Sequence, residues 1–333
     1  MQLRWVATFL LTAALAAAQA PMGYHVSRTV PLPGNGSWDY LARDAANNRL
    51  YIAHGDEVLV LTLDRQKLVG TIGDQHGTHG IAISDRDGHG FITNGGNATI
   101  TEFDIHTLKP LRSIAAPKDV DGIIYDPATD RIFAFCGDAA QAIAVDAASG
   151  KVAGTIDLGG GPEFGASDGR GHVFNVLEDK SELLDIDAHA LKIVHRYPLA
   201  PCEHPSGVAI DAAHHRVFAG CRNGVVAIVN ADTGRVIAAP KIGRGVDAAR
   251  FDSGTQTLFT SQGDGTITVI HEDSPDQFTE LGNIKTENGA RTMELDPRSH
   301  ELFTVTANFA PPQAGQRRRT LVPGSFRLLV VSR

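Results

Sequence analysis

The stretch GIIYDPATDRIFAF, residues 122–135, joins two runs of apolar and β-branched residues through a polar turn that contains Asp and Pro. Short runs of this composition, separated by turn residues, are typical of two β-strands in a hairpin. The same arrangement occurs seven times, at residues 40–53, 80–93, 122–135, 164–176, 207–220, 248–260 and 292–304. The copies follow one another at intervals of about 42 residues, so the sequence is that of a repeat protein.

Two more strand-like segments follow the hairpin in each of the first six copies. In the third copy they are QAIAVD, residues 141–146, and KVAGTIDL, residues 151–158. Four strands in a repeat of about 40–45 residues are the sequence signature of one blade of a β-propeller. The chain is therefore predicted to be all-β, a single seven-bladed β-propeller with four antiparallel strands per blade.

The two ends of the chain supply the seventh blade jointly. After the last hairpin only one more strand remains, SFRLLVVS at residues 325–332, whereas YHVSRTVPLPG at residues 24–34 has the pattern of a fourth strand. Closing the last blade with the N-terminal strand removes the exposed sheet edges that an open arc would leave. We therefore predict one propeller domain over residues 21–333.

Several phrases in these repeats resemble the YVTN-repeat propellers, a family that includes YncE-like periplasmic proteins. FITN at residues 91–94 is close to the namesake tetrapeptide, and residues 148–162 and 232–246 are similar to the characteristic strand and turn. The resemblance covers nearly all of the mature chain and implies the propeller fold. It implies no activity, because the family shares none. WD40 propellers are the nearest alternative, but Trp38-Asp39 is the single Trp-Asp pair.

Residues 1–20, MQLRWVATFLLTAALAAAQA, have the composition of a secretory signal peptide: one basic residue, an apolar run and small residues at the end. Cleavage after Ala18 or Ala20 fits this pattern. The run is shorter than the ~18–20 residues that span a bilayer, and no later segment approaches that length. A periplasmic or secreted protein without a membrane span is predicted, with a retained N-terminal anchor as the alternative.

Charge and cysteine content restrict the partners. Arg4 is the only charged residue among the first twenty, so the net charge of −8 becomes −9 after their removal, which disfavours nucleic acid. The odd number of cysteines, Cys136, Cys202 and Cys221, excludes a disulfide scaffold. A bridge between Cys202 and Cys221 and two free thiols both remain open. A monomer that binds a small molecule or an envelope protein is expected.

One aligned column of the repeats is rich in ionisable residues. It lies where the chain enters the first strand of each copy and holds Asp39, His79, Asp121, Glu163, Ser206, Asp247 and Arg291. The first strand of a propeller blade lines the central axis, so these side chains are predicted to meet at one mouth of the channel. His204 could reach the same space in the blade that carries Ser206.

This predicted ligand site has several possible uses, weighed against a channel that is merely polar and solvated. A divalent metal ion could take oxygen ligands from Asp39, Asp121, Glu163 and Asp247 and nitrogen from His79. A polyol, sugar or cation could instead be held by hydrogen bonds and charge. A carboxylate and His79 could also act as general base and acid. Other histidines, including His214, are interpreted as solvent-facing turn residues.

The loop at residues 309–324 is far longer than its counterparts in the other copies and carries Arg317, Arg318 and Arg319. Long loops in compact domains are usually functional or disordered. If ordered, this loop is predicted to be a basic flap over the acidic mouth. Shorter loops on the same face are predicted to form an outer shell that includes Arg222 and Glu178.

Three functions are compatible with the sequence. The first is an exported propeller that binds a small ligand or a protein partner at the channel mouth without chemistry. The second is a metal-assisted hydrolase or lyase acting on a lactone or sugar, by analogy of fold alone. The third is a structural or interaction propeller of the cell envelope. The sequence identifies no catalytic residue and no cofactor beyond the metal ion considered above.

Overall fold

Residues 21–311 and 320–333 are described by the computed structural model of the chain. Apart from a short 3-10 turn at Pro21–Gly23, the regular structure within these ranges is β-strand. The strands form seven sheets of four antiparallel strands each. The predicted all-β, seven-bladed propeller is therefore confirmed.

The strands are as follows in chain order. The N-terminal strand is β1 (His25–Pro31). Blade one has β2 (Trp38–Asp44), β3 (Arg49–His54), β4 (Glu57–Thr62) and β5 (Leu68–Ile72), and blade two has β6 (Thr78–Ser84), β7 (His89–Asn94), β8 (Thr99–Asp104) and β9 (Pro110–Ala115). Blade three has β10 (Val120–Asp126), β11 (Arg131–Cys136), β12 (Gln141–Asp146) and β13 (Val152–Asp157).

The remaining blades follow the same order. Blade four has β14 (Pro162–Ser167), β15 (His172–Leu177), β16 (Glu182–Asp187) and β17 (Lys192–Pro198). Blade five has β18 (Pro205–Asp211), β19 (Arg216–Cys221), β20 (Val225–Asn230) and β21 (Val236–Ala238), and blade six has β22 (Val246–Asp252), β23 (Thr257–Gln262), β24 (Thr266–Ser274) and β25 (Gln277–Lys285). Blade seven has β26 (Met293–Asp296), β27 (Glu301–Thr306) and β28 (Arg327–Ser332).

Strand β1 completes blade seven, as the sequence predicts. It pairs antiparallel with β28, from His25 opposite Ser332 to Pro31 opposite Arg327. The sheet order is β1-β28-β27-β26, so the chain ends are joined within one blade. This closure leaves no gap in the ring of blades.

The core lies between neighbouring blades and is built from the middle strands. Each second strand buries one aromatic residue at the same repeat position, namely Tyr51, Phe91, Phe133, Phe174, Phe218, Phe259 and Phe303. Fourth strands are mostly exposed, as in β9. First strands of successive blades contact one another around the axis. The polar residues of the first strands therefore face a channel rather than a closed core.

The cysteines divide into one pair and one buried thiol. Cys202 and Cys221 form a disulfide within blade five, which resolves the alternative left open by the sequence. Cys136 is buried, and burial raises the pKa of its thiol to about 12, so it is a packing residue. Within the described ranges no helix is long and apolar enough to cross a membrane. The predicted signal peptide, residues 1–20, and Arg317, Arg318 and Arg319 lie outside the described residues.

Candidate functional site

The ionisable column of the sequence lies at β-bulges in the first strands. In blade three the pairing of β10 with β11 passes from Val120 opposite Cys136 to Ile123 opposite Ala134, which leaves an extra residue around Asp121. Equivalent irregularities occur in blades one, two, four, five and six. Bulges interrupt the ladder and redirect side chains. They aim the members of the column in these six blades toward the channel, whereas Arg291 precedes β26, whose pairing with β27 is regular. The column is called here the mouth ring (Asp39, His79, Asp121, Glu163, Ser206, Asp247 and Arg291).

The residue after each mouth-ring member sets how closely the first strands approach. It is glycine in three blades: a Cβ added to Gly207 would lie 2.7 Å from the Asp247 carbonyl oxygen, and one added to Gly80 would lie 2.8 Å from that of Asp121. These glycines are required because the backbone of the next blade occupies the space of a side chain. The close approach brings neighbouring ring members within hydrogen-bonding distance.

Two blades have aromatic residues at this position, and they fill the channel beneath the mouth ring. Tyr40 and Phe164 meet edge to face with their ring centroids 4.2 Å apart, and the Arg250 guanidinium lies 5.3 Å from the Phe164 centroid. Both aromatic side chains are buried. Tyr40 lines the cavity on each side of this pair. The channel is therefore divided into a mouth cavity and a second cavity of about 610 Å³ toward the opposite face.

One side of the mouth ring is a histidine held between two carboxylates. His79 Nδ1 lies 2.7 Å from Asp39 Oδ2 and 3.5 Å from Asp121 Oδ1. The hydrogen bond to Asp39 raises the pKa of His79 to about 9, so the imidazole is protonated at neutral pH. Asp121 Oδ1 accepts no hydrogen bond from residues 21–311 or 320–333. Asp121 is thus an incompletely paired carboxylate on this side.

The other side of the ring is joined through Ser206. Its hydroxyl lies 3.2 Å from Glu163 Oε2 and 3.4 Å from Asp247 Oδ1, while Arg291 Nε donates to Asp247 Oδ2 at 2.6 Å. Arg222, from the predicted outer shell, approaches Glu163 Oε1 at 3.5 Å. The structure thus brings the members of the column close to one another at one end of the channel.

Two predictions need adjustment. His204 lies at the outer rim, 63% exposed and 3.8 Å from Glu178, and does not line the mouth cavity. Of the five candidate metal ligands, Asp39, His79 and Asp121 offer ligand atoms within 4.8 Å of one another. Glu163 and Asp247 stand outside that group, because Arg222 and Arg291 hold them on the other side of the ring.

The mouth cavity has a volume of about 420 Å³ and is polar. It is lined by Asp39, Tyr40, His79, Asp121, Glu163, Arg222, Gly245, Val246, Asp247 and Arg291. Burial and the nearby Asp39 raise the pKa of Asp121 to about 7, and burial and a hydrogen bond with Glu178 raise the pKa of Glu163 to about 8. Both carboxyl groups are therefore partly protonated at neutral pH.

The other end of each first strand carries a second ring, called here the turn ring: Asp44, Ser84, Asp126, Asp168, Asp211, Asp252 and Asp296. All six aspartates accept hydrogen bonds from backbone N–H groups of the following turn. Within residues 21–311 and 320–333, no carboxylate of the mouth ring accepts a hydrogen bond from a backbone N–H group. The turn ring builds hairpins, whereas the mouth ring is open to a ligand.

The long loop has its described ends on the mouth face. Phe309 and Leu321 form a β-bridge, and Ala310 N donates to Thr320 O at 2.8 Å. The Phe309 ring contacts Trp38, which precedes Asp39. The base of the loop thus stands beside the mouth ring. The flap over the mouth stays a prediction, since its three arginines lie outside the described residues.

Solved structures of other propellers share this fold. A chain described as "Structure of U3-55K" has a TM-score of 0.79 at 12% identity, over 92% of this chain and 99% of that one. "Crystal structure of RRP9 WD40 repeats" gives 0.79 at 12% identity over 94% and 99%, and "Crystal Structure of Mitotic Checkpoint Complex" gives 0.75 at 13% over 100% and 98%. No family model matches, and no curated protein matches. Likeness at this identity establishes the fold alone.

Sequence reasoning missed Tyr40 and Phe164 as parts of the site. The signal was available one position after the mouth ring, where three blades have glycine, two have Ala248 and Thr292, and the other two have aromatic residues. A large ring at a position that is otherwise small fills the space that the small residues leave. The floor of the cavity follows from that contrast.

Proposed function

We propose that this protein is an exported β-propeller that binds a small cationic ligand at the mouth ring, without covalent chemistry. The observation that carries the proposal is the neighbouring pair Asp121 and Glu163. Both line the mouth cavity, and burial raises the pKa of each into the neutral range. A positive charge placed beside them would offset the cost of burying their charged forms and would favour ionisation.

The remainder of the cavity supports binding rather than passage. Tyr40 and Phe164 block the channel under the ring, and burial raises the pKa of Tyr40 well above its usual value, so its hydroxyl stays neutral. A volume of about 420 Å³ lies within the range of small-molecule sites. The ligand class that fits is a compact ammonium compound or a hydrated divalent ion.

A divalent metal ion at Asp39, His79 and Asp121 is the second candidate, because their ligand atoms lie within 4.8 Å of one another. Mixed carboxylate and imidazole donors suit ions such as Mn²⁺ or Zn²⁺. The ion would have to displace the proton that Asp39 holds on His79. The hydrolase or lyase hypothesis depends on this ion, because a protonated His79 is an acid and not a base.

Export and family membership are also proposed. The composition of residues 1–20 supports a cleaved signal peptide, and the Cys202–Cys221 disulfide is typical of an oxidising compartment. The FITN phrase and its related repeats support membership of the YVTN-repeat group. Sequencing the N-terminus of protein recovered from the periplasm and the medium would test cleavage after Ala18 or Ala20, and an intact N-terminus would contradict it.

A thermal-shift screen of the mature chain tests the binding proposal. The probes are Ca²⁺, Mn²⁺, Zn²⁺, 1,4-diaminobutane, neutral sugars and lactones, since a ligand bound only by the native state raises the unfolding temperature. We expect stabilisation by the diamine or by divalent ions and none by sugars or lactones. The double variant Asp121→Asn, Glu163→Gln should lose the response to the diamine and to Ca²⁺.

The matched control is Asp74→Asn, which removes one charge from an exposed turn on the same face. It should respond as the wild type does. Stabilisation by Mn²⁺ or Zn²⁺ alone, lost in His79→Gln, would favour the metal candidate over the organic cation. A response to sugars or lactones, or an unchanged response in the double variant, would contradict a cation site between Asp121 and Glu163.

A further inference from the structure

A second cluster of donor groups lies at the opposite end of the propeller, between blades five and six. Asp211 closes β18, His214 lies in the turn after it, and Glu272 is in β24 of the next blade. His214 Nδ1 lies 2.6 Å from Asp211 Oδ2 and 3.4 Å from Glu272 Oε1. One ligand atom from each residue lies within 4.8 Å of the other two.

Burial separates this cluster from an ordinary surface group of acids. The side chains of Asp211 and Glu272 are each 1% exposed, whereas that of His214 is 40% exposed. Neither carboxylate oxygen of Glu272 accepts a hydrogen bond from the residues that the structure describes. A buried carboxylate is costly unless it is paired and hydrogen-bonded. Within the described residues, His214 is the single basic side chain that pairs with these two carboxylates.

The nearest arginine does not complete the pairing, because its donors are used elsewhere. Arg216 Nε donates to the Pro275 carbonyl at 2.6 Å, and its terminal nitrogens bond the His214 carbonyl at 2.7 Å and the Asp276 carboxylate at 3.0 Å. These bonds tie the turn of blade five to the hairpin of blade six. The arginine therefore holds the two segments that carry His214 and Glu272 in place.

His214 is a departure from the pattern of the other blades. In five other blades, the side chain three residues after the turn-ring member forms a hydrogen bond with that member. These side chains are Asn47, Asp87, Thr129, Thr255 and Ser299. A hydroxyl, amide or carboxyl group is therefore sufficient to build this turn. The imidazole of His214 in blade five is not needed to form the hairpin turn.

Glu272 arises from a second, independent departure. Strands β24 and β25 have nine residues each, while the third strands of the other blades have six. Glu272 is the first residue beyond the usual strand end, at the place where other blades bury an apolar residue such as Leu63, Ile105 or Ala147. Two separate changes in different blades thus place an imidazole and a buried carboxylate against Asp211.

We propose that Asp211, His214 and Glu272 form a site for a divalent transition-metal ion that links blades five and six. Two carboxylate oxygens and one imidazole nitrogen are donors that Zn²⁺ and Mn²⁺ accept, with Zn²⁺ ligand distances of about 2.0–2.2 Å. The ion would supply the positive charge that Glu272 lacks. The half-exposed edge of His214 leaves a path for the ion and a position for a water ligand.

Zinc titration of the EDTA-treated, untagged mature chain tests this proposal. All proteins carry Asp121→Asn, which removes one donor from the mouth ring so that the two sites are distinguished. We expect one equivalent of Zn²⁺ by calorimetry and by metal analysis. Glu272→Gln and His214→Asn should each weaken zinc binding by more than about 100-fold, beyond the 10–100-fold typical of outer partners of a metal site.

The two variants are chosen to preserve the fold. Gln has the shape of Glu272, and Asn at position 214 reproduces the turn that Asn47 makes in blade one. His106→Asn removes an exposed histidine from another turn and should leave zinc binding unchanged. Undiminished binding in both variants, or no binding by a protein that unfolds cooperatively, would overturn the proposal. Either result concerns the Asp211, His214 and Glu272 site alone, because every protein in this experiment carries Asp121→Asn in the mouth ring.

Discussion

The two ends of strand β10 carry aspartates in opposite situations. Asp126, in the turn ring, is fully buried and accepts bonds from Thr129 N, Thr129 Oγ1 and Ser167 Oγ at 2.5–3.0 Å. Asp121, in the mouth ring, is 39% exposed and has one oxygen without a hydrogen bond. An aspartate therefore stabilises the hairpin at one end of β10, and another aspartate faces a ligand cavity at the other end.

The difference teaches where function can be sought in a repeat fold. A carboxylate that recurs in six of the seven blades and is bonded by the backbone belongs to the blade itself. Members that vary between blades and are bonded by one another belong to a site. The proposed zinc site follows the same logic, because it combines an ordinary turn-ring residue with two departures.

The largest expected effect is on stability, and it distinguishes the two ends directly. Asp126→Ala leaves buried donors unbonded and should lower the free energy of unfolding by about 3 kcal/mol. Asp121→Ala should change it by less than about 0.5 kcal/mol, since a crowded carboxylate is removed. Urea unfolding of both variants measures the contrast. Equal losses would mean that the mouth ring is as structural as the turn ring.

The next effect is a pH dependence that belongs to the mouth ring. Asp121 and Glu163 have folded-state pKa values of about 7 and 8, above those of the unfolded chain, so their stabilising contribution is present at low pH. It is lost as the pH rises from about 4 through 8. His79, at about 9, contributes below pH ~6.5 and loses its contribution as the pH rises through 9.

All three groups therefore act in the same direction, and the melting temperature should fall by a few degrees from pH 5 to pH 9. Scanning calorimetry of the wild type and of Asp121→Asn, Glu163→Gln would measure it, with a flatter profile expected for the double variant. Asp74→Asn should follow the wild type. A melting temperature that rises over this interval would contradict the raised pKa values.

A third comparison concerns Arg291, a cationic member of the mouth ring. Arg291 is bonded to Asp247 and is 45% exposed, so its charge is partly screened. Arg291→Gln makes the mouth more negative and should tighten binding of a diamine or divalent ion about two- to tenfold at low salt. Arg65→Gln, at a remote position that is 85% exposed, should have no effect. Weaker binding of the diamine in Arg291→Gln would show that the negative charge of the mouth ring does not determine its affinity.

The sequence predicted the blades, their closure and the convergence of the mouth ring because all three follow from periodicity. It did not predict the pairing inside the ring, since Ser206 joins Glu163 to Asp247 only through the spacing of bulged backbones. The prediction that His204 could reach the mouth cavity was wrong for a related reason. Its distance from Ser206 along the chain is short, but Pro205 begins the strand and His204 lies outside it.

The proposed zinc site shows a different limit of sequence reasoning. His214 could be recognised as unusual by aligning the turns, yet its partner Glu272 lies in another blade and outside the aligned column. Contacts between blades depend on how far a hairpin extends over its neighbour. That extent becomes visible only when the nine-residue strands are placed in the sheet.

The smallest effect tests how tightly the mouth ring is packed. A Cβ added to Gly95 would lie 2.8–2.9 Å from two ring atoms of His79, the mobile end of a side chain, so Gly95→Ala should cost less than about 1 kcal/mol. The displaced imidazole would lose its bond to Asp39, and the pKa of His79 should fall from about 9 toward 6.5. Histidine NMR titration measures this shift. Gly73→Ala, where an added Cβ has open space, is the control, and an unchanged pKa in Gly95→Ala would mean that Asp39 does not determine the charge of His79.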